Sequence, residues 1–308
     1  MADKSPHKRQ AVLRFDNGKL TGSKRPLVNP QSDNDPARKP LEEIAKEMRK
    51  ILPGILLTRP DAQPRSTLYQ NGDADNLDSS HCPRVPPTAI KVINADTIDA
   101  ALELAVNSPS PKRVCILNMA NARSPGGGWM HGALAQEEAL CYRTSLSATL
   151  RYNYYPLPEK GGIYSPRVLV LRESMKDGHG LMDMREPKNL PVLSVISVAA
   201  VCQPPTKIDQ HSGRQRYVSG ADRRLMEEKM RVILRIAAKN GHRQLVLGAF
   251  GCGAFGNPKE EVADMWKSVL SEAEFAAGWW QDIVFAVMDT DGRGNFHTFH
   301  QRLNGVAV

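Results

Sequence analysis

Residues 118–138 combine a glycine triplet with a pair of carboxylates, a combination that can bind an anion and move a proton. Three consecutive glycines, Gly126–Gly128, are followed after a spacer of seven residues by Gln136–Glu138, which reads Gln-Glu-Glu. Consecutive glycines let backbone N–H groups approach a phosphate closely, because no side chain stands in the way. An apolar run ends at Met119, so we expect this loop at the carboxyl end of a buried strand, where open α/β sheets bind their ligands.

The two adjacent glutamates cannot play the same role on a helix. Glu137 and Glu138 would point about 100° apart on a helix that begins near Gln136, so they cannot form the two facing carboxylates of a typical glycosidase. We expect one of them to do the chemistry while the other orients it. Taken alone, an acidic pair in a first helical turn is also explained by favourable interaction with the helix dipole.

A second glycine-rich segment, residues 248–257, also follows an apolar run and precedes a helical pattern. Asn257 suits the N-cap, Pro258 suits the first helical position and Glu260 lies three residues after the cap, which predicts a capping box. Two glycine-rich loops at two strand ends predict a site in which a diphosphate is bound between the loops and contacts both of them. Neither loop matches the P-loop, because no Gly-Lys-Ser/Thr follows, and residues 251–256 share only the glycine spacing GxGxxG. We expect neither ATP nor NAD as a cofactor.

Strand-like and helix-like patterns alternate along most of the chain. The predicted strands are 88–94, 113–119, 167–171, 191–200, 244–249 and 282–288, and the predicted helices are 41–57, 97–106, 136–151, 221–239 and one that starts at Pro258. Strands that are apolar on both faces and separated by helices indicate a three-layer α/β/α sandwich. Residues 58–87 are rich in proline and predict a long loop.

The composition restricts the class of protein. The chain has 308 residues with 41 basic and 33 acidic side chains, a net charge of +8, and is 41 % hydrophobic, which excludes disorder throughout. The longest solidly apolar stretch, 192–202, is about half of the roughly 20 residues that a membrane-spanning helix needs. The five cysteines form no CxxC pair, so we expect no zinc cluster and a reducing compartment, the nucleus or the cytoplasm.

Basic residues are concentrated near the start of the sequence. Residues 1–30 hold seven Lys and Arg against two Asp, which is +5 of the total +8. We predict a flexible basic tail there, which would either keep the protein in solution or serve as a nuclear address or a polyanion contact. The other 278 residues carry only +3, so an anion site among them must arise from local geometry.

The two glycine-rich loops together resemble those of the microbial type of poly(ADP-ribose) glycohydrolases, a family with a macrodomain fold. The signature of that family is a Gly-Gly-Gly loop, a short spacer and Gln-Glu-Glu, which positions 126–138 match, and residues 251–255 are similar to its second phosphate loop. The resemblance covers about residues 40–303. It implies a macrodomain-like α/β/α sandwich with a mixed central sheet and an N-terminal helical extension. We therefore divide the chain into a flexible basic tail (1–37), a helical extension with a Pro-rich strap (38–87) and a catalytic domain (88–308).

The resemblance also implies roles for individual residues. Glu138 would be the catalytic acid that cleaves a ribose–ribose O-glycosidic bond, Glu137 would hold the ribose hydroxyls, Asn121 would contact the distal ribose, and Phe255 would pack against that ribose. The residues expected to contact the substrate are Asn121, Gly126, Gly127, Gly128, Gln136, Gly251, Cys252, Gly253, Ala254 and Phe255. The implied substrate is poly(ADP-ribose) or an ADP-ribosylated protein, and the product is ADP-ribose. We expect a monomer that needs no cofactor, metal or membrane.

Other functions stay open on the sequence alone. A module that reads ADP-ribose without hydrolysing it needs the phosphate loops but not the acid, so the intact Glu137-Glu138 pair argues against it. A hydrolase of mono-ADP-ribose on protein or nucleic acid would share the distal half of the site, and the sequence does not separate it from a polymer hydrolase. Cys252 lies where a nucleophile could lie, but no partner histidine can be identified, so we interpret it as a small residue in a tight loop.

Overall fold

The computed structural model describes residues 12–16, 19–23, 38–108, 113–289 and 292–308. The helices are α1 (Arg38–Thr58), α2 (Thr97–Asn107), α3 (Gln136–Arg143), α4 (Gly220–Lys239), α5 (Lys259–Leu270) and α6 (Asn295–Leu303). The strands are β1 (Val12–Asp16), β2 (Lys19–Ser23), β3 (Thr67–Tyr69), β4 (Lys91–Ile93), β5 (Cys115–Met119), β6 (Gly162–Leu169), β7 (Val192–Val198), β8 (Thr206–Ile208), β9 (Gln215–Tyr217), β10 (Gln244–Leu247) and β11 (Asp282–Ala286).

Seven strands form one mixed sheet in the order β3-β6-β7-β5-β10-β11-β4. The five strands from β7 to β4 are parallel to one another, and β6 and β3 are antiparallel to their neighbours. The carboxyl ends of β7, β5 and β10 therefore meet at one edge of the sheet. The loops that follow these three strands are brought together there.

Successive residues of the central strands pack into two different layers. In β10, Leu245 and Leu247 belong to the core that contains α4, α5 and α6, whereas Val246 belongs to the core that contains α1, α2 and α3. This alternation follows from the period of two residues along a strand. The predicted three-layer α/β/α sandwich with a mixed central sheet is confirmed.

The segment before residue 88 shares the core and the sheet of the rest of the chain. One face of α1, with Leu41, Ala45, Met48 and Leu52, is buried in the same cluster as α3. Strand β3, which lies inside the predicted Pro-rich loop, pairs with β6 and extends the sheet by one strand. The helical extension therefore supports the layer on which α3 rests.

Several element boundaries differ from the sequence prediction. The helix predicted over 136–151 ends at Arg143, because Thr144 Oγ1 accepts a hydrogen bond from the Leu146 N–H (3.1 Å) and starts a separate 3₁₀ turn. Strand β6 begins at Gly162 rather than at residue 167. The hairpin β8–β9 and helix α6 were not predicted, because they are short and carry no clear apolar period.

Most of the predicted basic tail lies outside the described residues. Within it, the described backbone consists of β1 and β2, which pair antiparallel with Val12 opposite Ser23. Among the helices of the described ranges, none combines the length and the apolar character needed to cross a membrane.

Candidate active site

The two predicted loops and a third one meet at the carboxyl edge of the sheet. Residues 120–135 connect β5 to α3, residues 248–258 connect β10 to α5, and residues 199–205 follow β7. The third loop is bonded to the second, since the Gln203 N–H donates to Phe255 O (2.8 Å). The first of these loops leads directly into the first turn of α3, which carries both glutamates.

Glu138 is held by two backbone N–H groups at the start of α3. Its Oε1 accepts from the Gly128 N–H (2.9 Å), and its Oε2 accepts from the Ala135 N–H (3.1 Å). The side chain is 8 % exposed. Both oxygens are thereby fixed beside the glycine triplet, and each retains a lone pair that a ligand can use.

Glu137 lies deeper and has different partners. Its Oε2 accepts from the Asn121 N–H (2.7 Å) and its Oε1 accepts from Asn118 Nδ2 (3.2 Å), and it is 3 % exposed. Burial raises the pKa of Glu137 from its ordinary 4.5 to about 8, although the hydrogen bonds from Asn121, Asn118 and Gly126 act in the opposite direction. The adjacent glutamates thus have separate partners, as their angular separation predicts.

The raised pKa of Glu137 makes the stability of the protein depend on pH. Between pH 4.5 and about 8 the unfolded chain releases a proton that the folded chain keeps. The free energy of unfolding therefore falls as the pH rises, by roughly 1.4 kcal/mol per unit. We expect Tm to fall from pH 6.5 to pH 8, a window above the titration of His179, whose pKa burial lowers to about 4. Thermal melting of Glu137→Gln should show a flatter profile, and equal slopes in the two proteins would contradict the assignment.

Asn118 is a site residue that the sequence analysis did not assign. It is fully buried in β5, and its Nδ2 donates to both Glu137 Oε1 and Ser197 Oγ (3.0 Å). Its Oδ1 is buried without a hydrogen-bond partner in the described part of the chain. The available signal was an asparagine inside an otherwise apolar strand, which is costly unless its amide has a function.

The glycine triplet positions the two carboxylates directly. A Cβ on Gly127 would lie 2.2 Å from Glu138 Oε1 and 3.2 Å from Glu137 Oε2, and Gly127 has φ +58°. The N–H groups of the triplet are also engaged: Gly126 interacts with Glu137, Gly127 donates to Ser124 O (3.0 Å), and Gly128 donates to Glu138. In this structure the triplet holds the carboxylates, so its contact with a diphosphate stays a prediction.

Gln136 has a structural role that differs from the predicted substrate contact. Its Oε1 accepts from the Met119 N–H (2.9 Å), and its Nε2 donates to Leu117 O (2.7 Å) and Thr97 Oγ1 (3.3 Å). Because both amide protons are used, the side chain joins α3 to the end of β5 rather than facing a ligand.

Asn121 begins the loop after β5 and shapes its turn. Its Oδ1 accepts from the Arg123 N–H (2.8 Å) and the Ser124 N–H (3.0 Å), while its own N–H holds Glu137. The side-chain Nδ2 donates to no acceptor within the described ranges. A free amide beside the glutamates is consistent with the predicted contact to a ribose.

The second loop offers unpaired backbone donors. Among the described residues, the N–H groups of Gly251, Gly253, Ala254 and Phe255 have no acceptor. Three of these N–H groups are consecutive, and such runs form concave anion-binding sites. Cys252 is buried, and burial raises the pKa of its thiol well above the ordinary range, so it is not poised as a nucleophile.

Asn257 does not cap α5, in contrast to the predicted capping box. The N-cap position is taken by Pro258, and no side chain caps the helix. The Asn257 side chain is buried instead: its Nδ2 donates to Val201 O (2.8 Å) and Gly251 O (3.0 Å), and its Oδ1 accepts from Tyr217 OH (2.8 Å). It therefore stabilises the second loop from inside, and the uncapped helix N-terminus adds its dipole to the free N–H groups.

Phe255 is half-buried and packs against the core on the α5 side of the sheet. Its carbonyl accepts from the Gln203 N–H, which fixes the backbone beside the ring. The ring is the only large side chain of residues 251–256. This position suits the predicted packing against a ribose, and it also anchors the loop to the core.

Valine at Gly253 would test the anion-binding loop with little effect on the fold. A Cβ at Gly253 meets no atom within 4 Å, and its φ lies outside the left-handed region. A branched side chain there would fill the space in front of the free N–H groups. We expect the Kd for ADP-ribose to rise at least roughly tenfold, the usual effect of removing hydrogen bonds to a charged group, with Tm unchanged. Gly180→Val, which also meets no atom within 4 Å, is the matched control, and equal affinity in both variants would remove the assignment.

Comparison with known proteins finds one matching family model. Residues 56–173 match the family model described as microbial-type PARG, catalytic domain, where PARG is poly(ADP-ribose) glycohydrolase. No curated protein matches the sequence. In the described ranges, no group of three His, Cys, Asp or Glu side chains could hold a metal ion.

Solved structures of poly(ADP-ribose) glycohydrolases share the fold of this chain. The chain is similar to the poly(ADP-ribose) glycohydrolase of Thermomonospora curvata, with a TM-score of 0.69 and 27 % identity over 86 % of this chain and 100 % of that chain. The structure of that enzyme with the inhibitor ADP-HPD matches with a TM-score of 0.67, 27 % identity and the same coverage. The Deinococcus radiodurans enzyme in complex with ADP-ribose matches with a TM-score of 0.63 and 25 % identity over 82 % of this chain and 97 % of that chain. The resemblance inferred from the two loops is confirmed.

Proposed function

We propose that this chain, which carries the microbial-type PARG catalytic domain, is a poly(ADP-ribose) glycohydrolase that hydrolyses the ribose–ribose O-glycosidic bond and releases ADP-ribose. The observation that carries the proposal is the arrangement at the carboxyl edge of the sheet. There, the loop after β5 leads to a carboxylate fixed by two backbone N–H groups, and the loop after the neighbouring parallel strand β10 has four unpaired backbone donors in the described residues. Once protonated, the carboxyl group of Glu138 can supply a proton to the leaving oxygen, and the free N–H groups of the second loop can hold the diphosphate.

The second loop fixes the substrate relative to the acid. The free N–H groups of residues 253–255 and the uncapped N-terminus of α5 both favour a negatively charged group. A diphosphate bound there places the attached distal ribose next to Phe255 and Asn121. Because Asn257 ties this loop to β9 and to the loop after β7, the position of the diphosphate is set by the sheet itself.

Glu138 is assigned as the general acid. Cleavage passes through an oxocarbenium-like state, so the departing ribose oxygen needs a proton and the cation needs negative charge nearby. The substrate's own diphosphate supplies part of that charge. Once it has lost its proton, the Glu138 carboxylate can activate the water that completes hydrolysis.

Glu137 is assigned as the residue that orients the ribose. Both of its oxygens are anchored, by the Asn121 N–H and by Asn118 Nδ2, so the carboxyl group cannot turn away. A carboxyl group fixed in this way can accept hydrogen bonds from ribose hydroxyls and select one sugar geometry. It is less exposed than Glu138, which fits a binding role rather than proton transfer to a leaving group.

Two parallel reactions distinguish this function from the two alternatives, a mono-ADP-ribosyl hydrolase and a reader module. The protein is given poly(ADP-ribose) in one reaction and mono-ADP-ribosylated acceptors in another, and free ADP-ribose is measured over time. The proposal expects rapid release from the polymer. Release only from the mono-ADP-ribosylated acceptors would favour the mono-ADP-ribosyl hydrolase, and binding without release would favour a reader module.

A further inference from the structure

The hairpin β8–β9 carries an excess of positive charge next to the candidate site. Residues 202–224, which comprise the hairpin, its flanking loops and the first turn of α4, contain five Lys and Arg against two Asp, a net +3, which equals the net charge of residues 31–308 as a whole. The other residues of 31–308 therefore have a net charge of zero. Charge concentrated in this way on one short segment is not needed for solubility, which mixed surface charges provide.

Three cations project from one face of the hairpin, which we call the basic hairpin face: Lys207, Arg214 and Arg216. Lys207 stands directly opposite Arg216, an arrangement of like charges that weakens strand pairing. Arg214 directly precedes β9, and the Asp209 N–H donates to Arg214 O (2.9 Å), which continues the strand pairing and places Arg214 on the same side as Arg216. Lys207 and Arg214 are exposed, and neither side chain has an acidic partner in the described ranges.

The acidic groups nearby leave this face positive. Asp209 and Glu261 both pair with Arg216 (3.6 and 3.0 Å), and Asp209 also accepts from Ser212 Oγ. The buried arginines of the described ranges have carboxylate partners, as Arg143 does with Asp96. Lys207 and Arg214 are therefore available to bind an anion from outside the protein.

The base of the hairpin is bonded to the second loop. The Val218 N–H donates to Pro205 O (2.9 Å), and Tyr217 OH donates to Asn257, which in turn holds Gly251. A further exposed cation, Arg123, follows Asn121 and lies near enough to Cys202 to act on its thiol. Positive groups therefore extend from the loop that holds Glu137 to the hairpin.

We propose that the basic hairpin face binds the phosphates of the polymer beyond the unit in the active site. This inference rests on the proposed function, because it takes poly(ADP-ribose) as the polyanion. Poly(ADP-ribose) has a diphosphate in every repeat, so the units outside the active site are negatively charged. Exposed Lys and Arg attract such a polymer in a salt-dependent way. The active site then recognises one ADP-ribose, and the hairpin raises the affinity for long chains only.

The test compares two double variants that remove the same charge. Lys207→Gln with Arg214→Gln removes two cations from the basic hairpin face. The control, Lys91→Gln with Lys267→Gln, removes two exposed lysines without acidic partners in the described ranges, one on β4 and one in the last turn of α5. Both are measured in the Glu138→Gln background for Kd with long polymer and with ADP-ribose, and in the wild-type background for turnover.

The hairpin variant is expected to weaken polymer binding about fivefold to tenfold at low salt and to lower the salt slope by about one for each phosphate that is no longer neutralised. ADP-ribose binding and the release of ADP-ribose from short substrates should not change. Wild-type polymer affinity in the hairpin variant, an equally weakened control, or impaired ADP-ribose binding would each overturn the inference.

Single-stranded DNA bound as tightly as the polymer would show a general nucleic-acid surface instead. Failure of the wild-type protein to release ADP-ribose refutes the proposed function separately, because the binding difference is read without turnover.

Discussion

Replacement of Glu138 by glutamine is expected to lower kcat for ADP-ribose release by about 10²-fold or more, the usual effect of losing a general acid. Glutamine keeps the length of the side chain and one oxygen that can accept from the Gly128 N–H. It cannot donate a proton to a leaving oxygen. Because the free donors of residues 253–255 are untouched, the Kd for ADP-ribose should stay near the wild-type value.

Glu137→Gln is the matched variant for this measurement. It removes the neighbouring buried carboxyl group, and its expected effect includes weaker substrate binding as well as slower turnover. Kinetics and calorimetry on both variants separate the two roles. Near wild-type turnover in Glu138→Gln, combined with an inactive Glu137→Gln, would reverse the assignment of the acid.

Gly127→Ala is expected to lower kcat about 10²-fold, because a displacement of about 1 Å at a catalytic group can cost that much. The added Cβ would lie 2.2 Å from Glu138 Oε1, so the carboxylate must move out of its place between Gly128 and Ala135. The contact is with the end of a flexible side chain. The fold should therefore survive, with a stability cost of about 1 kcal/mol from the positive φ.

Gly305→Ala controls for the backbone strain alone. Gly305 also has a left-handed φ, +80°, but a Cβ there meets no atom within 4 Å. Thermal melting should show similar decreases in the two variants, and only Gly127→Ala should lose activity. Full activity in a folded Gly127→Ala protein would show that the triplet does not position Glu138.

The sequence predicted the parts of the molecule that depend on local chemistry. Apolar runs such as 244–249 predicted β10, because a strand buried on both faces must be apolar throughout. The spacing of the triplet and the Gln-Glu-Glu motif located both carboxylates. Each of these features consists of residues that are close together in the sequence, so it can be found without knowledge of the tertiary fold.

What the sequence did not show depends on partners that are distant along the chain. Asn257 has the composition of an N-cap, yet the structure uses it to join Val201, Gly251 and Tyr217. Gln136 belongs to the motif, yet its amide bonds the backbone of β5. The hydrogen-bonding capacity of such residues is visible in the sequence, but the competing acceptors come together only after the sheet has formed.

The identity of the product released from poly(ADP-ribose) tests the central claim most directly. Wild-type protein is incubated with polymer, and the small products are separated and identified by mass spectrometry. We predict ADP-ribose with its diphosphate intact, because the bond broken is the ribose–ribose glycosidic bond next to Glu138. Phosphoribosyl-AMP, the product of diphosphate cleavage, or unchanged polymer would contradict it.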